Sequence, residues 1–159
     1  MQKLFIGMVA AIALVSGYLF HASQQYDFAT LGGQKYQWQD FEGQLTVVNY
    51  FAEWCAPCLK EVPELNTFNN WAEQQSNVQL FAVSYDALAD EKLAEIQQKY
   101  AMEFALLLPS QTNNIPIDKP AYLPATYVVL PDGNVSPPLL GEQTAERLIA
   151  TIEQLQQTL

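Results

Sequence analysis

At 159 residues, half of them apolar and 12% aromatic, the chain has room for one domain with a hydrophobic core and little room for two. Its 17 acidic residues all lie beyond residue 23, where six of the seven basic residues also fall, so that stretch carries a net charge of −11. Such a sign excludes electrostatic binding to nucleic acid or to anionic membrane surfaces; the acidity serves solubility and is assigned no function.

Residues 4–20, LFIGMVAAIALVSGYLF, form an uncharged apolar run after Lys3. At ~1.5 Å per residue the run is about 25 Å long, near the minimum for spanning a bilayer. A cleaved signal peptide shows the same order of basic start and apolar centre but ends in small residues. Cutting after Ala22 or Ser23 places Phe20 or His21 where a small residue is required. Residues 1–23 are therefore read as an uncleaved anchor in preference to a signal sequence. Lys3 on the short side leaves the remainder outside the cytoplasm.

Residues 24–34 mix Gln, Asp and Thr with the Gly32-Gly33 pair and show no periodicity, which predicts a linker into a domain at 35–159. Lys35 to Phe41 alternates aromatic and polar residues, an edge-strand pattern. LTVVNYFA at 45–52 is a strand buried on both faces, and it runs directly into the cysteines. From Pro57 to about Gln75, Leu59, Val62, Leu65, Phe68 and Trp71 recur at helical spacing, with Pro63 expected to kink the helix.

VQLFAVSY at 78–85 is a second buried strand, and Asp90 to Tyr100 a second helix. After an apolar piece at 104–108 and a polar loop, ATYVVL at 125–130 is a third main strand. Pro131-Asp132-Gly133-Asn134 is a hairpin turn. The returning strand is expected at Val135 to Leu139, its prolines 137 and 138 marking a sheet edge. Thr144 to Leu155 closes the chain as a helix with Thr144 as N-cap. This succession predicts an α/β fold with a central mixed sheet flanked by helices.

The two cysteines sit in Trp54-Cys55-Ala56-Pro57-Cys58, where a buried strand meets a helix start. Only the thiolate is a nucleophile, and a helix N-terminus favours negative charge, so Cys55 is placed for attack. Cys58, one turn on, carries its sulfur on the same side and within reach of a small disulfide ring; Pro57 in the first turn sacrifices no hydrogen bond. A structural zinc site needs about four ligands, and the single His21 belongs to the anchor, so no metal is expected. A c-type haem site needs His where Leu59 stands. A purely structural disulfide across two residues constrains the unfolded chain little. The reading requires Cys55 to be exposed.

These residues resemble the TlpA/ResA-like branch of thioredoxin-like thiol–disulfide oxidoreductases over roughly residues 34–157. WCxPC is the most specific element, supported by Asn49-Tyr50-Phe51-Ala52, by Glu61 and Pro63, by Leu123-Pro124-Ala125-Thr126 and by Pro131-Asp132-Gly133. The resemblance implies a thioredoxin-like fold, which the apolar run at 4–20 places behind a single transmembrane helix. It also implies that Pro124 is a cis-proline beside the cysteines, with the Leu123 backbone free to pair with an extended substrate.

Thioredoxins proper carry a buried Asp at the position of Asn49, so the proton acceptor for Cys58 is assigned to Glu61, which matches an acid that related proteins use. Trp54, Ala56 and Pro57 are expected to meet the substrate, Glu53 to be mere surface, and Trp38 and Trp71 to be core. The implied activity is reduction of disulfides in exported proteins, as in cytochrome c maturation or metal-site assembly. It needs no cofactor, takes protein thiols and disulfides as substrates, and works with a membrane or exported redox partner at the bacterial inner membrane, facing the periplasm or exterior. Alternatives are a dithiol oxidase of the same compartment and a redox-inert tethered binding module. A DsbA-like oxidase would insert a helical domain for which this chain lacks room, and a peroxiredoxin would need a threonine-containing cysteine motif that is absent.

Overall fold

The computed structural model describes residues 12–17, 26–111 and 115–158. The 12–17 stretch is helical, while the rest of the apolar run, and His21, lie outside the described residues. Among the described residues no helix is long and apolar enough to cross a membrane.

The domain runs through β1 (Phe28–Ala29), β2 (Lys35–Tyr36), β3 (Leu45–Phe51), α1 (Ala56–Lys60), α2 (Val62–Ala72), β4 (Val78–Ser84), α3 (Asp90–Lys99), β5 (Ala105–Leu107), β6 (Ala125–Val129), β7 (Leu139–Leu140) and α4 (Ala145–Thr158). Its five-stranded sheet has the order β5-β4-β3-β6-β7, parallel across β3, β4 and β5 and antiparallel across β3, β6 and β7. β3 is central, and all seven of its residues are buried, as a run rich in β-branched and aromatic residues predicts, with Asn49 the polar residue among its last three.

Strand alternation splits the core in two. Leu45, Val47 and Phe51 join Leu80 and Ala82 in one cluster, which takes buried side chains from all four α-helices, among them Cys58, Leu65, Phe68, Leu93, Ile96, Leu148 and Ile152. Val48, Tyr50, Phe81, Val83 and Tyr127 face the other way, into a cluster with Phe28 and Phe41 that holds no α-helical residue. The helices therefore flank the sheet from one side, and an aromatic hairpin covers the other.

That hairpin corrects the expected linker at 24–34. Phe28 is fully buried, with the rings of Trp38 at 4.7 Å, Phe81 at 5.4 Å, Tyr36 at 5.5 Å and Phe41 at 5.9 Å. The Leu31 N–H donates to the Leu106 carbonyl at 2.8 Å and the Leu108 N–H to the Ala29 carbonyl at 2.9 Å, so this segment extends the sheet beyond β5. The edge strand expected at 35–41 is correspondingly short. It pairs only at Lys35–Tyr36 before Trp38–Phe41 turns as a 3-10 helix, with the Gln37 N–H donating to Asp40 Oδ2 at 2.7 Å.

Two proline effects go further than a kink or an edge. Pro63 has no N–H for the Leu59 carbonyl, and the helix divides at Glu61 into α1 and α2. Pro137 and Pro138 interrupt the returning strand, leaving an isolated bridge from Val135 to Val129 before pairing resumes at Leu139–Leu140.

Candidate active site

β3 delivers the chain to the cysteines. The Cys55 N–H donates back to the Ala52 carbonyl at 3.1 Å, turning the backbone, and Cys55 becomes the N-cap of α1 in an extended conformation, φ −87° and ψ 92°. Its Sγ accepts the Cys58 N–H at 3.3 Å, the cap that Ser or Asp oxygens supply at other helix starts. Cys55 and Cys58 form a disulfide with their Cα atoms 5.3 Å apart.

The structure corrects the exposure required of Cys55: in the disulfide form the residue is buried, and a partner can meet it only through the small open fraction that remains. Only 5% of its surface is exposed and 1% of that of Cys58, because both belong to the helical core cluster with Phe51, Ala52 and Val62. What projects is the frame around them: Ala56 and Pro57 are exposed, and Trp54 is 66% exposed.

Trp54 is nonetheless fixed. Its indole N–H donates to Asp86 Oδ2 at 2.8 Å, and its ring meets Tyr85 edge-on, 6.1 Å between centroids; the Lys119 ammonium lies 3.7 Å from the centre of the Tyr85 ring. Glu53, expected to be mere surface, is a structural tie to α3. It pairs with Lys99 at 3.0 Å and Lys92 at 3.3 Å, and these ammonium groups, Lys99 first, hold its carboxyl below the usual range.

Glu61 lies one turn beyond Cys58, at the junction of α1 and α2, and is 1% exposed. Asn49 Nδ2 donates to its Oε1 at 2.8 Å and the Gln143 backbone N–H to its Oε2 at 3.0 Å. Burial pushes the carboxyl up to about 7, against the pull of these two donors and with a smaller upward push from Glu142. Asn49 also donates to Thr126 Oγ1 at 3.0 Å, its neighbour across β3 and β6 in the antiparallel register. Among the described residues Asn49 Oδ1 has no partner.

The Leu123–Pro124 peptide bond is cis. Ala125 pairs with Tyr50, so Leu123 and Pro124 sit at the end of the sheet where β3 passes into Cys55, and Leu123 packs against the cluster containing both cysteines. Pro124 is buried, Leu123 half-buried and Tyr122 74% exposed. Trp38 and Trp71, expected to be core, are half-buried at its margins.

A cleft of about 390 Å³ opens beside Tyr85 and Asp86, lined also by Tyr50, Ile117, Asp118 and Lys119. Burial, then the neighbouring Tyr127 and Asp118, pushes the Tyr50 phenol up to about 12, so it stays protonated. Among the described residues no group of three or more His, Cys, Asp and Glu side chains is placed to hold a metal ion.

Sequence reasoning brought out the cysteines, Glu61, Trp54 and the Leu123-Pro124 pair, and the structure gathers these at one end of the sheet. It missed Thr126, Gln143 and Asp86 as partners. Asn49 enters the sequence reading as part of a motif and as a missing acid, but not as a partner of Glu61, although a polar residue inside an otherwise apolar buried strand is itself a signal that a partner exists.

The family model described as AhpC/TSA family matches residues 21–137. Among curated proteins, a thiol-disulfide oxidoreductase ResA of Bacillus cereus is 26% identical over 125 residues, covering 79% of this chain and 71% of its own length. The thioredoxin-like protein YneN of Bacillus subtilis is 23% identical over 125 residues, 77% of this chain and 72% of its own. Among solved structures, StoA from Bacillus subtilis superposes with a TM-score of 0.64 at 22% identity, covering 77% of this chain and 92% of that one. MTB dsbF superposes with a TM-score of 0.62 at 24% identity, covering 82% and 95%. These superpositions show the fold.

Proposed function

The chain belongs to the thioredoxin-like AhpC/TSA family, and from that premise we propose that it is an extracytoplasmic thiol–disulfide oxidoreductase that reduces disulfides of exported proteins. One observation carries the reading: the Cys55–Cys58 disulfide caps a helix at the end of the central strand, with a buried carboxyl of raised pKa one turn further on. Relatives named as thiol-disulfide oxidoreductases support it.

In the reducing direction the Cys55 thiolate attacks one sulfur of a substrate disulfide. A Cys55–substrate bond forms, the substrate S–S bond breaks, and the departing thiolate takes a proton. Cys58 then gives its proton to Glu61 and attacks Cys55 Sγ, expelling the second substrate thiolate, which is protonated in turn. The substrate gains two electrons and two protons, and the domain is left with the Cys55–Cys58 disulfide. A dithiol donor returns it to the reduced state; run backwards, the same steps oxidise a dithiol.

The environment of Glu61 suits this role. Transfer from a thiol of ordinary pKa, ~8.5, to a carboxylate near 7 costs about 2 kcal/mol, against more than about 5 kcal/mol for an ordinary glutamate. The Cys58 N–H already reaches Cys55 Sγ and is available to an anionic sulfur there. Trp54, Ala56, Pro57, Leu123 and Pro124 frame the pair and are assigned to substrate contact.

Placement at the bacterial inner membrane, with the domain outside the cytoplasm, rests on the apolar run at 4–20 and on Lys3. Exported cytochromes c or metal-site proteins are the substrate class this location and the TlpA/ResA resemblance suggest, with a membrane or exported dithiol protein as donor.

Insulin reduction by the purified protein, and capture of mixed disulfides in cells on Cys58→Ser, test the reading together. Turnover with Cys55-dependent capture of exported proteins is expected. A reduced protein that neither exchanges with small disulfides nor captures a partner would be an inert binding module, and exclusively cytosolic captives would overturn the location.

A further inference from the structure

Glu61 is held by more than its immediate partners. Two side chains at the start of α2, its N-cap Glu61 and Glu64 three residues on, grip alternate N–H groups at the start of α4: Gln143 to Glu61 Oε2 at 3.0 Å and Ala145 to Glu64 Oε2 at 2.9 Å. The last N–H of that helix entry, Arg147, is capped by Thr144 Oγ1 at 3.2 Å. Buried Gln143 folds its side chain back onto the carbonyls of Gly141 at 2.8 Å and Leu140 at 3.4 Å, which ties the segment to itself as well as to Glu61.

We propose that Glu64 is a positioning residue: by holding the Ala145 N–H it fixes the start of α4 where the Gln143 N–H reaches the Glu61 carboxylate. The proposal rests on the reading of Glu61 as proton acceptor for Cys58. Without that anchor the Gln143–Glu61 bond lengthens, the anionic form of Glu61 loses part of a donor, and its titration moves to higher pH. Among the described residues, the polar and charged groups acting on Glu61 are Asn49 from β3 and Gln143 and the Glu142 charge from the α4 entry; Glu142 is itself paired with Lys60 at 2.7 Å on the exposed side. A purely Coulombic role for Glu64 predicts the opposite sign, because removing a negative charge lowers the pKa of a neighbouring acid.

The experiment follows the Glu61 carboxyl carbon by NMR against pH in the full chain. Glu64→Ala is expected to raise the midpoint by about half a unit, a partial loss of one hydrogen bond to a charged group. Glu64→Gln keeps an oxygen for Ala145 and should titrate as the parent does. An unmoved or lowered midpoint in Glu64→Ala, or a midpoint in Glu64→Gln raised as far as that of Glu64→Ala, overturns the proposal. A raised midpoint without a matching shift in the pH profile of mixed-disulfide resolution leaves the positioning role standing and removes Glu61 from the proton step.

Discussion

The Asn49 side-chain amide donates to the Glu61 carboxylate at 2.8 Å, with both residues 1% exposed. This bond joins the central strand to the turn after the cysteines, and it meets the carboxylate with a neutral donor. Thioredoxins proper have an aspartate at the Asn49 position. Asn49→Asp here would set two carboxylates at hydrogen-bond distance, and such a pair holds one proton between them at neutral pH. The unfolded chain would not bind that proton, so the variant loses stability as pH rises. We expect it to be destabilised by on the order of 3 kcal/mol at pH 8 and much less at pH 5, read from urea midpoints at the two values. Equal midpoints for variant and parent at pH 8 would mean that the two side chains do not share a dry site.

Glu61 itself couples stability to pH. Its folded pKa, near 7, lies above the ordinary 4.5, so between those values the folded state keeps a proton that the unfolded state has lost. The stabilisation is complete below about pH 4.5 and disappears as pH rises through 7, a swing of about 3 kcal/mol. Glu61→Gln mimics the protonated form, and rotation of the Asn49 amide can present its unpartnered Oδ1 to the new NH2 group. The difference in unfolding free energy between parent and variant should therefore slope across pH 4.5–7. Exposed carboxylates cancel in that difference, and a flat line would place Glu61 in contact with water. The same substitution should slow resolution of the mixed disulfide about 10²-fold.

Trp54 is a large apolar surface beside the disulfide, 66% exposed yet tied by its indole N–H to Asp86. Its removal leaves no cavity in the core, so Trp54→Ala should cost no more than about 1 kcal/mol of stability. A partner polypeptide that covers the ring would lose that contact area, whereas a small disulfide would not. KM for a protein disulfide should rise several-fold while exchange with glutathione disulfide changes little. An equal loss for both substrates would mean that Trp54 acts on the cysteines and not on the partner.

Much of this organisation was legible in the residues because the central elements are locally self-consistent. β3 and β4 are mostly apolar runs rich in β-branched and aromatic residues, α2 and α3 have clear helical spacing, and the cysteine pair falls at a strand–helix junction. What escaped detection depends on distant pairing. Gln143 meets Glu61 across 82 residues and Trp54 meets Asp86 across 32, separations at which a sequence pattern carries no signal. The hairpin around Phe28 was missed for another reason: strands of two residues are too short to show period two, so buried aromatics read as part of a polar linker.

Phe28 decides where the domain begins. Fully buried and ringed by Tyr36, Trp38, Phe41 and Phe81, it closes the sheet face that carries no helix. Phe28→Ala would open a cavity that four large rings cannot refill without leaving their own contacts, and we expect a loss of about 3–5 kcal/mol. The measurement is the urea midpoint beside that of Gln39→Ala, an exposed position in the 3-10 turn next to the same cluster that should stay within about 0.5 kcal/mol. A chain starting at residue 35 should fail cooperative unfolding altogether, because it lacks the strand that pairs with Lys35–Tyr36 and leaves Phe41 and Phe81 open to water. If Phe28→Ala unfolds at the parent midpoint, the hairpin is a tether lying against the sheet, and the cover of that face must come from elsewhere in the chain.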